Sequence, residues 1–164
     1  FITEWSSSYS PADRVHDSYY SAPYILRTTK RCEGFAEAMS YWTFTDIFEE
    51  NGPPTEPFHG GFGLLNVQSI PKPAYHAYKF LSRLGDTEIS CEDEDAYVCR
   101  SKTGVQILFW NVRLPELAGW GNRTYFGKKI PAEEIEAAQI TLVGMTPCRE
   151  YTVVWETVGD GAGE

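Results

Sequence analysis

Residues 1–5 read Phe1-Ile2-Thr3-Glu4-Trp5, a short apolar segment that carries an acid near its end. Residues 6–17 are polar, with Ser6-Ser7-Ser8 and Pro11 among them, and read as a loop. Apolar residues then return at helical spacing over 18–31: Ala22, Ile25 and Leu26, with Thr29 and Cys32 on the flank. Pro23 is awkward deep inside a helix, so the regular helix is expected to start near Ser21, which puts Pro23 in its first turn. Residues 39–45, Met39-Ser40-Tyr41-Trp42-Thr43-Phe44-Thr45, are rich in strand formers. The order strand, helix, strand decides the fold class, because two strands joined through a helix form a parallel pair.

Outward from this core, residues 46–70 read as one long loop that contains Asn51-Gly52-Pro53-Pro54 and His59-Gly60-Gly61. Loops of this length in compact domains are functional or disordered, and the aromatic and acidic content favours function. Pro73 opens a second helix whose one face is Ala74, Ala77, Tyr78, Leu81 and Leu84, with Gly85 expected as its C-terminal cap. Beyond Gly85 the helical signal disappears. Residues 96–100, 105–112, 139–143 and 150–157 read as strands, and Ser101-Lys102-Thr103-Gly104 as a hairpin turn. Tyr151, Val153 and Trp155 alternate with Thr152, Val154 and Glu156, which assigns Trp155 to a core. Residues 114–136 are irregular, with Gly119-Trp120-Gly121 inside them.

The expected class is therefore α/β plus β. Residues 1–85 correspond to the last two βα units of a (β/α)8 TIM barrel, and residues 86–164 to part of an antiparallel β-sandwich. A start at Phe1, without Met and inside a strand, reads as a truncation, and 159–164 as a second one. Parallel strands without their neighbours leave unpaired edges.

Composition narrows the function. The net charge is −9, and the basic residues of 27–31 and Lys128-Lys129 are the only basic concentrations, which excludes a phosphate-backbone ligand such as nucleic acid. No stretch approaches the roughly 20 apolar residues that span a bilayer. The cysteines, Cys32, Cys91, Cys99 and Cys148, lack CxxC spacing and nearby His, so no zinc site is expected. Cys91 and Cys99 could bridge a hairpin, but the four read as ordinary reduced thiols; the compartment stays open, with a cytoplasmic setting slightly favoured over a secreted one. With 9 Phe, 10 Tyr and 5 Trp, the chain has the material for a core of large residues or for a surface that stacks on sugar rings.

An acid at the end of an apolar strand lies, in an α/β barrel, at the C-terminal rim where active sites are built. By that position Glu4 is a nucleophile, a general acid or base, a cation ligand or an exposed strand-end acid. The second strand has the same design, with Trp42 inside it and Asp46, Glu49 and Glu50 after it. Rings pack on the apolar faces of a pyranose and carboxylates accept bonds from its hydroxyls; the alternative is a core Trp42 and a solvated Glu49-Glu50. His16 and His59 are isolated and read as structural or surface histidines. Gly60, Gly61 and Gly63 are not a phosphate loop, since neither the Lys-Ser/Thr pair nor a helix follows. Ser6-Ser7-Ser8 lacks a nucleophile-elbow pattern, and Asn122-Arg123-Thr124 matches a glycosylation sequon.

The ordered combination Ile2-Thr3-Glu4-Trp5-Ser6-Ser7-Ser8-Tyr9, Val15-His16-Asp17, Ser40-Tyr41-Trp42-Thr43-Phe44-Thr45-Asp46-Ile47-Phe48-Glu49-Glu50, Pro57-Phe58-His59-Gly60-Gly61-Phe62-Gly63-Leu64-Leu65 and Lys72-Pro73-Ala74 resembles glycoside hydrolase family 39, its β-xylosidases in particular. The resemblance covers about the first 85 residues nearly without gaps; the β region resembles the family's C-terminal sandwich more loosely.

The resemblance implies a retaining mechanism on a (β/α)8 barrel, acting on terminal β-D-xylosyl residues of xylo-oligosaccharides or other β-xylosides. Glu4, in the Thr-Glu-Trp motif, is the implied nucleophile, with Tyr9 beside it. Trp42 lines the implied xylose subsite, and Glu49 and Glu50 hold its hydroxyls. The family's acid/base is a Glu in an Asn-Glu-Pro motif, which this sequence lacks, so the isolated chain is expected to be inactive. No metal or organic cofactor is called for, since two carboxylates suffice for the chemistry. Two other readings stand beside this one. A non-catalytic carbohydrate-binding module would use Trp110, Trp120 and Trp155. An α-L-iduronidase-like relative would need basic groups for a uronic carboxylate, where the rim segments offer Glu49 and Glu50.

Overall fold

The structure, a computed structural model, describes residues 1–47, 52–111 and 138–159. Glu49, Glu50, Phe48, Trp120, the 114–136 stretch and the sequon at Asn122 lie outside the described residues. Strand β1, Ile2–Trp5, runs parallel to β2, Met39–Tyr41, with Ile2 opposite Met39 and Trp5 opposite Tyr41. The register shifts between those two pairs, so Thr3 and Glu4 together face the single residue Ser40 in a bulge.

Helix α1, Ser21–Arg31, connects the two strands. Its start fits the expectation from Pro23, whose missing N–H falls among the first-turn donors that lack an intrahelical acceptor anyway. Lys30 and Arg31 occupy its last turn, where positive charge complements the helix dipole. Helix α2, Pro73–Leu81, opens with Pro at its first position after an extended Lys72. It ends earlier than expected, and Gly85 is not its cap. A Cβ on Gly85 would lie 2.2 Å from the Arg100 carbonyl oxygen, so this glycine serves the close passage of one backbone past another.

The two helices cover one face of the β1–β2 pair. Ala22, Ile25, Leu26, Ala74 and Ala77 are buried between them, and Trp5, Tyr41 and Tyr78 pack against that cluster. Trp5 meets Tyr41 edge-on at 5.4 Å, and Tyr41 meets Tyr78 at 5.9 Å. Burial of a side chain such as Ile25 or Leu26 contributes about 1.5–3 kcal/mol. Burial also lifts the pKa values of Tyr41 and Tyr78 above the usual phenol range.

The second region is an antiparallel sheet of β3, Thr87–Glu88, β4, Ala96–Ser101, and β5, Gly104–Phe109, in that order. The hairpin turn falls where the sequence predicts it, with Ser101 opposite Gly104. The sheet does not stand apart. Tyr97 and Trp110 belong to the same hydrophobic cluster as α1 and α2. Asp95 accepts from the Arg27 guanidinium at 2.9 Å and from the Trp110 indole at 3.0 Å. The Tyr97 hydroxyl donates to Glu33, and the Lys30 ammonium sits 4.4 Å above the Tyr97 ring. One core thus runs across residue 85.

Two expectations fail here. Residues 139–143 and 150–157 carry no strand; among the described residues no ladder includes them. Strand composition needs a neighbouring row of N–H and C=O groups to become a strand, and Val153 and Val154 instead stay 77% and 78% exposed. Trp155 is likewise not core. It is 64% exposed and leans on Phe109 at 5.7 Å. All four cysteines are free thiols. Among the described residues no helix is long and apolar enough to cross a membrane.

Candidate active site

Side chains alternate across a strand. Trp5 and Tyr41 point to the helices, so Glu4 and Ser40 belong to the opposite, open face, and both are exposed. The Trp42 amide donates to the Trp5 carbonyl at 2.9 Å, which holds the ends of the two parallel strands together. Glu4 and Trp42 therefore sit at adjacent strand ends on one rim. The Trp42–Thr43 peptide bond is cis. Tyr9 lies in the loop after β1 and is 74% exposed. A carboxylate and an indole at adjacent strand ends can serve a neutral, hydroxyl-rich ligand.

Beneath the rim lies a buried polar knot. Lys72, fully buried, donates to Asp46 Oδ2 at 2.9 Å and to the Gly61 carbonyl at 2.7 Å. Its ammonium also lies 2.8 Å from Asp17 Oδ1, a charge contact without hydrogen-bond alignment. The other oxygen of each aspartate is bonded as well: Asp46 Oδ1 accepts from the Gly63 amide and Asp17 Oδ2 from the Gly60 amide, both at 2.6 Å. His16 Nδ1 bonds the Gly60 carbonyl at 2.7 Å. Burial lowers the His16 pKa, opposed by that bond and by the nearby Asp13 charge. Gly60 has φ +87°, and a Cβ there would meet the Ala12 and Asp13 backbone at 2.7 Å. The glycine cluster is thus a packing device, as its lack of a phosphate-loop context implies.

The backbone of this knot is equally well paired. Thr43 and Phe44 exchange bonds with Phe62, Leu64 and Leu65, and Asp46 and Lys72 donate to Leu65 and Leu64. Asn66, fully buried, accepts from the Gln68 and Ile70 amides through Oδ1. Asp46 is consequently not a rim acid of the kind its neighbours Glu49 and Glu50 were read as: it faces inward to Lys72.

The structure brings Glu4 and Trp42 to one rim, leaves Tyr9 exposed in the adjoining loop, and does not describe Glu49 and Glu50. Sequence reasoning missed Lys72. The only local signal was a basic residue directly before a helix-opening proline, and its partners are remote in the chain. A cleft of about 250 Å³ opens between Pro11, Thr43, Thr45, Pro54 and His59, but neither Glu4 nor Trp42 lines it. Among the described residues no group of three or more His, Cys, Asp or Glu is arranged to hold a metal ion.

Comparison with known proteins adds five findings. The family model for Glycosyl hydrolases family 39 matches residues 1–124. The chain is 45% identical over 112 residues to a beta-xylosidase of Geobacillus stearothermophilus, covering 68% of the chain and 22% of that protein. It is 49% identical over 156 residues to a beta-xylosidase of Caldicellulosiruptor saccharolyticus, covering 93% and 30%. Among solved structures, a monomeric beta-xylosidase from Caulobacter crescentus superposes with a TM-score of 0.74 at 47% identity, over 82% of this chain and 27% of that one. The GH39 enzyme from Xanthomonas axonopodis pv. citri does so with 0.73 at 48%, over 80% and 26%. The chain spans less than a third of the length of each of these relatives.

Proposed function

Because the chain belongs to glycosyl hydrolase family 39, we propose that it carries the nucleophile half of a retaining β-xylosidase site, with Glu4 as nucleophile. Residues 1–85 are then the last two βα units of a TIM barrel, and residues 86–164 part of an accessory β-sandwich that shares its core with α1 and α2. The observation that carries the reading is the placement of Glu4 on the open face of β1, at the same rim as Trp42.

In this mechanism Glu4 attacks the anomeric carbon of a terminal β-xylosyl residue while a second carboxylic acid, about 5–5.5 Å away, protonates the leaving oxygen. Water activated by that second group then releases xylose with net retention. Trp42 stacks against the sugar, Glu49 and Glu50 accept bonds from its hydroxyls, and Tyr9 flanks the nucleophile. The Asn-Glu-Pro motif expected for the second acid is absent from these 164 residues. General acid–base assistance contributes roughly 10²–10⁴-fold, so the chain by itself is expected to be inactive.

The test is Glu4→Gln in the product of the complete reading frame, assayed on 4-nitrophenyl β-xyloside. Near-abolition of turnover upholds the assignment. Retention of most activity reduces Glu4 to an exposed strand-end acid. The carbohydrate-binding alternative rests on one observation, the exposed Trp155 against Phe109. Trp110, buried and bonded to Asp95, is spent in the core.

A further inference from the structure

We propose that Lys72 is a positioning residue for the glycoside site: its buried ammonium, held between Asp17 and Asp46, sets the segment after β1 against the segment after β2. This rests on the reading of Glu4 as nucleophile and goes beyond it, because Lys72 reaches neither the open face nor the sugar.

The chain supplies the parts from three places. Asp17 ends the 3₁₀ turn Arg14–Asp17 that follows the Glu4 strand. Asp46 follows Trp42 and directly precedes the segment that leads to Glu49 and Glu50. Lys72 precedes α2, whose Tyr78 packs against Tyr41 of β2. A lysine with no exposed surface is rare unless paired, and this one faces two aspartates whose exposures are 0% and 10%. Without the ammonium, two carboxylates confront each other where water screens them poorly, and like charges repel. The easiest relief is separation of the two segments, hence a shift between nucleophile and sugar platform. Misplacement of reacting groups by about 1 Å costs on the order of 10²-fold in rate.

The test uses the complete gene product and a covalent probe, 2,4-dinitrophenyl 2-deoxy-2-fluoro-β-xyloside, whose sugar is trapped on the nucleophile. For Lys72→Met the labelling rate is expected to fall about 10²-fold, while the final stoichiometry stays at one sugar per folded chain. A purely structural role lowers the labelled fraction and leaves the rate of the folded molecules unchanged. Adding Asp46→Asn to Lys72→Met removes the repulsion and is expected to restore the rate by about tenfold. A folded Lys72→Met protein that labels within about twofold of wild type overturns the proposal. If Lys72→Met does not fold, Asp17→Asn and Asp46→Asn decide it, since each leaves the lysine one carboxylate. Slower labelling at full stoichiometry supports positioning, and wild-type rates in both overturn it. Failure of the nucleophile assignment is separate: it appears as labelling of Glu4→Gln, or as a sugar attached elsewhere.

Discussion

Residues 62–72 and residues 138–158 both lie outside the helices and the paired strands, and they are opposites. The first segment is short of regular structure yet nearly saturated with bonds: its amides and carbonyls reach Thr43, Phe44 and Asp46, and its polar side chains Asn66 and Lys72 are fully buried. The second has the composition of strands, with Ile140, Leu142, Val143, Val153 and Val154 all exposed. Its contacts with the rest of the described chain include an ion pair, Arg83 with Glu156, and a ring contact, Trp155 with Phe109. Among the described residues, backbone pairing follows from where donors and acceptors find partners, not from how strand-like a segment's residues are.

The sharpest way to break this contrast is to remove the buried cation. Lys72→Met strands two aspartates, and loss of one partner from a buried charge pair costs about 3–5 kcal/mol. A urea midpoint unchanged from wild type would mean that the knot contributes nothing beyond shape. Asn66→Leu comes next. It orphans the Gln68 and Ile70 amides, with an expected loss of about 1–3 kcal/mol by the same measurement.

Acid gives a smaller and more specific effect. Burial holds the His16 pKa below 6.5, so on acidification the unfolded chain takes up a proton that the folded chain refuses. The stability due to neutral His16 is thus present above pH 6.5 and declines as pH falls through it. His16→Asn, whose amide can replace Nδ1 toward Gly60, should flatten that part of a stability–pH curve; an unaltered curve would place the acid sensitivity elsewhere. The smallest effects belong to 138–158. Arg83→Ala breaks a pair whose side chains are 51% and 45% exposed, and should shift the midpoint by no more than about 1 kcal/mol. A larger loss would show that this segment is more firmly attached than its exposure indicates.

What the sequence disclosed has a physical pattern. The start of α1 near Ser21, the opening of α2 at Pro73 and the turn at 101–104 are local decisions, made by proline, helical spacing and a two-residue turn. The strand-end position of Glu4 was legible because a strand end is itself a local feature, whereas Trp42, read as inside a strand over 39–45, lies just past β2, which ends at Tyr41. The knot was not legible. Asp46 looked like one of a run of rim acids, and only its 26-residue separation from Lys72, closed by the fold, turns it inward. Gly85 looked like a helix cap because the backbone it must pass, at Arg100, is equally remote. The strands expected at 139–143 and 150–157 failed for the converse reason: their local pattern was right for a strand and, among the described residues, lacked a neighbour. Trp155 followed them out of the core.

Chain order gives the knot a temporal side. Both aspartates precede their lysine, Asp46 by 26 residues. At roughly 5–20 residues per second, a nascent chain carries Asp46 for about one to five seconds before Lys72 is added. Until then neither acid has the buried cation that it faces in the folded chain. The last residue of the knot to be synthesised is thus the one that joins the two acids, directly ahead of helix α2.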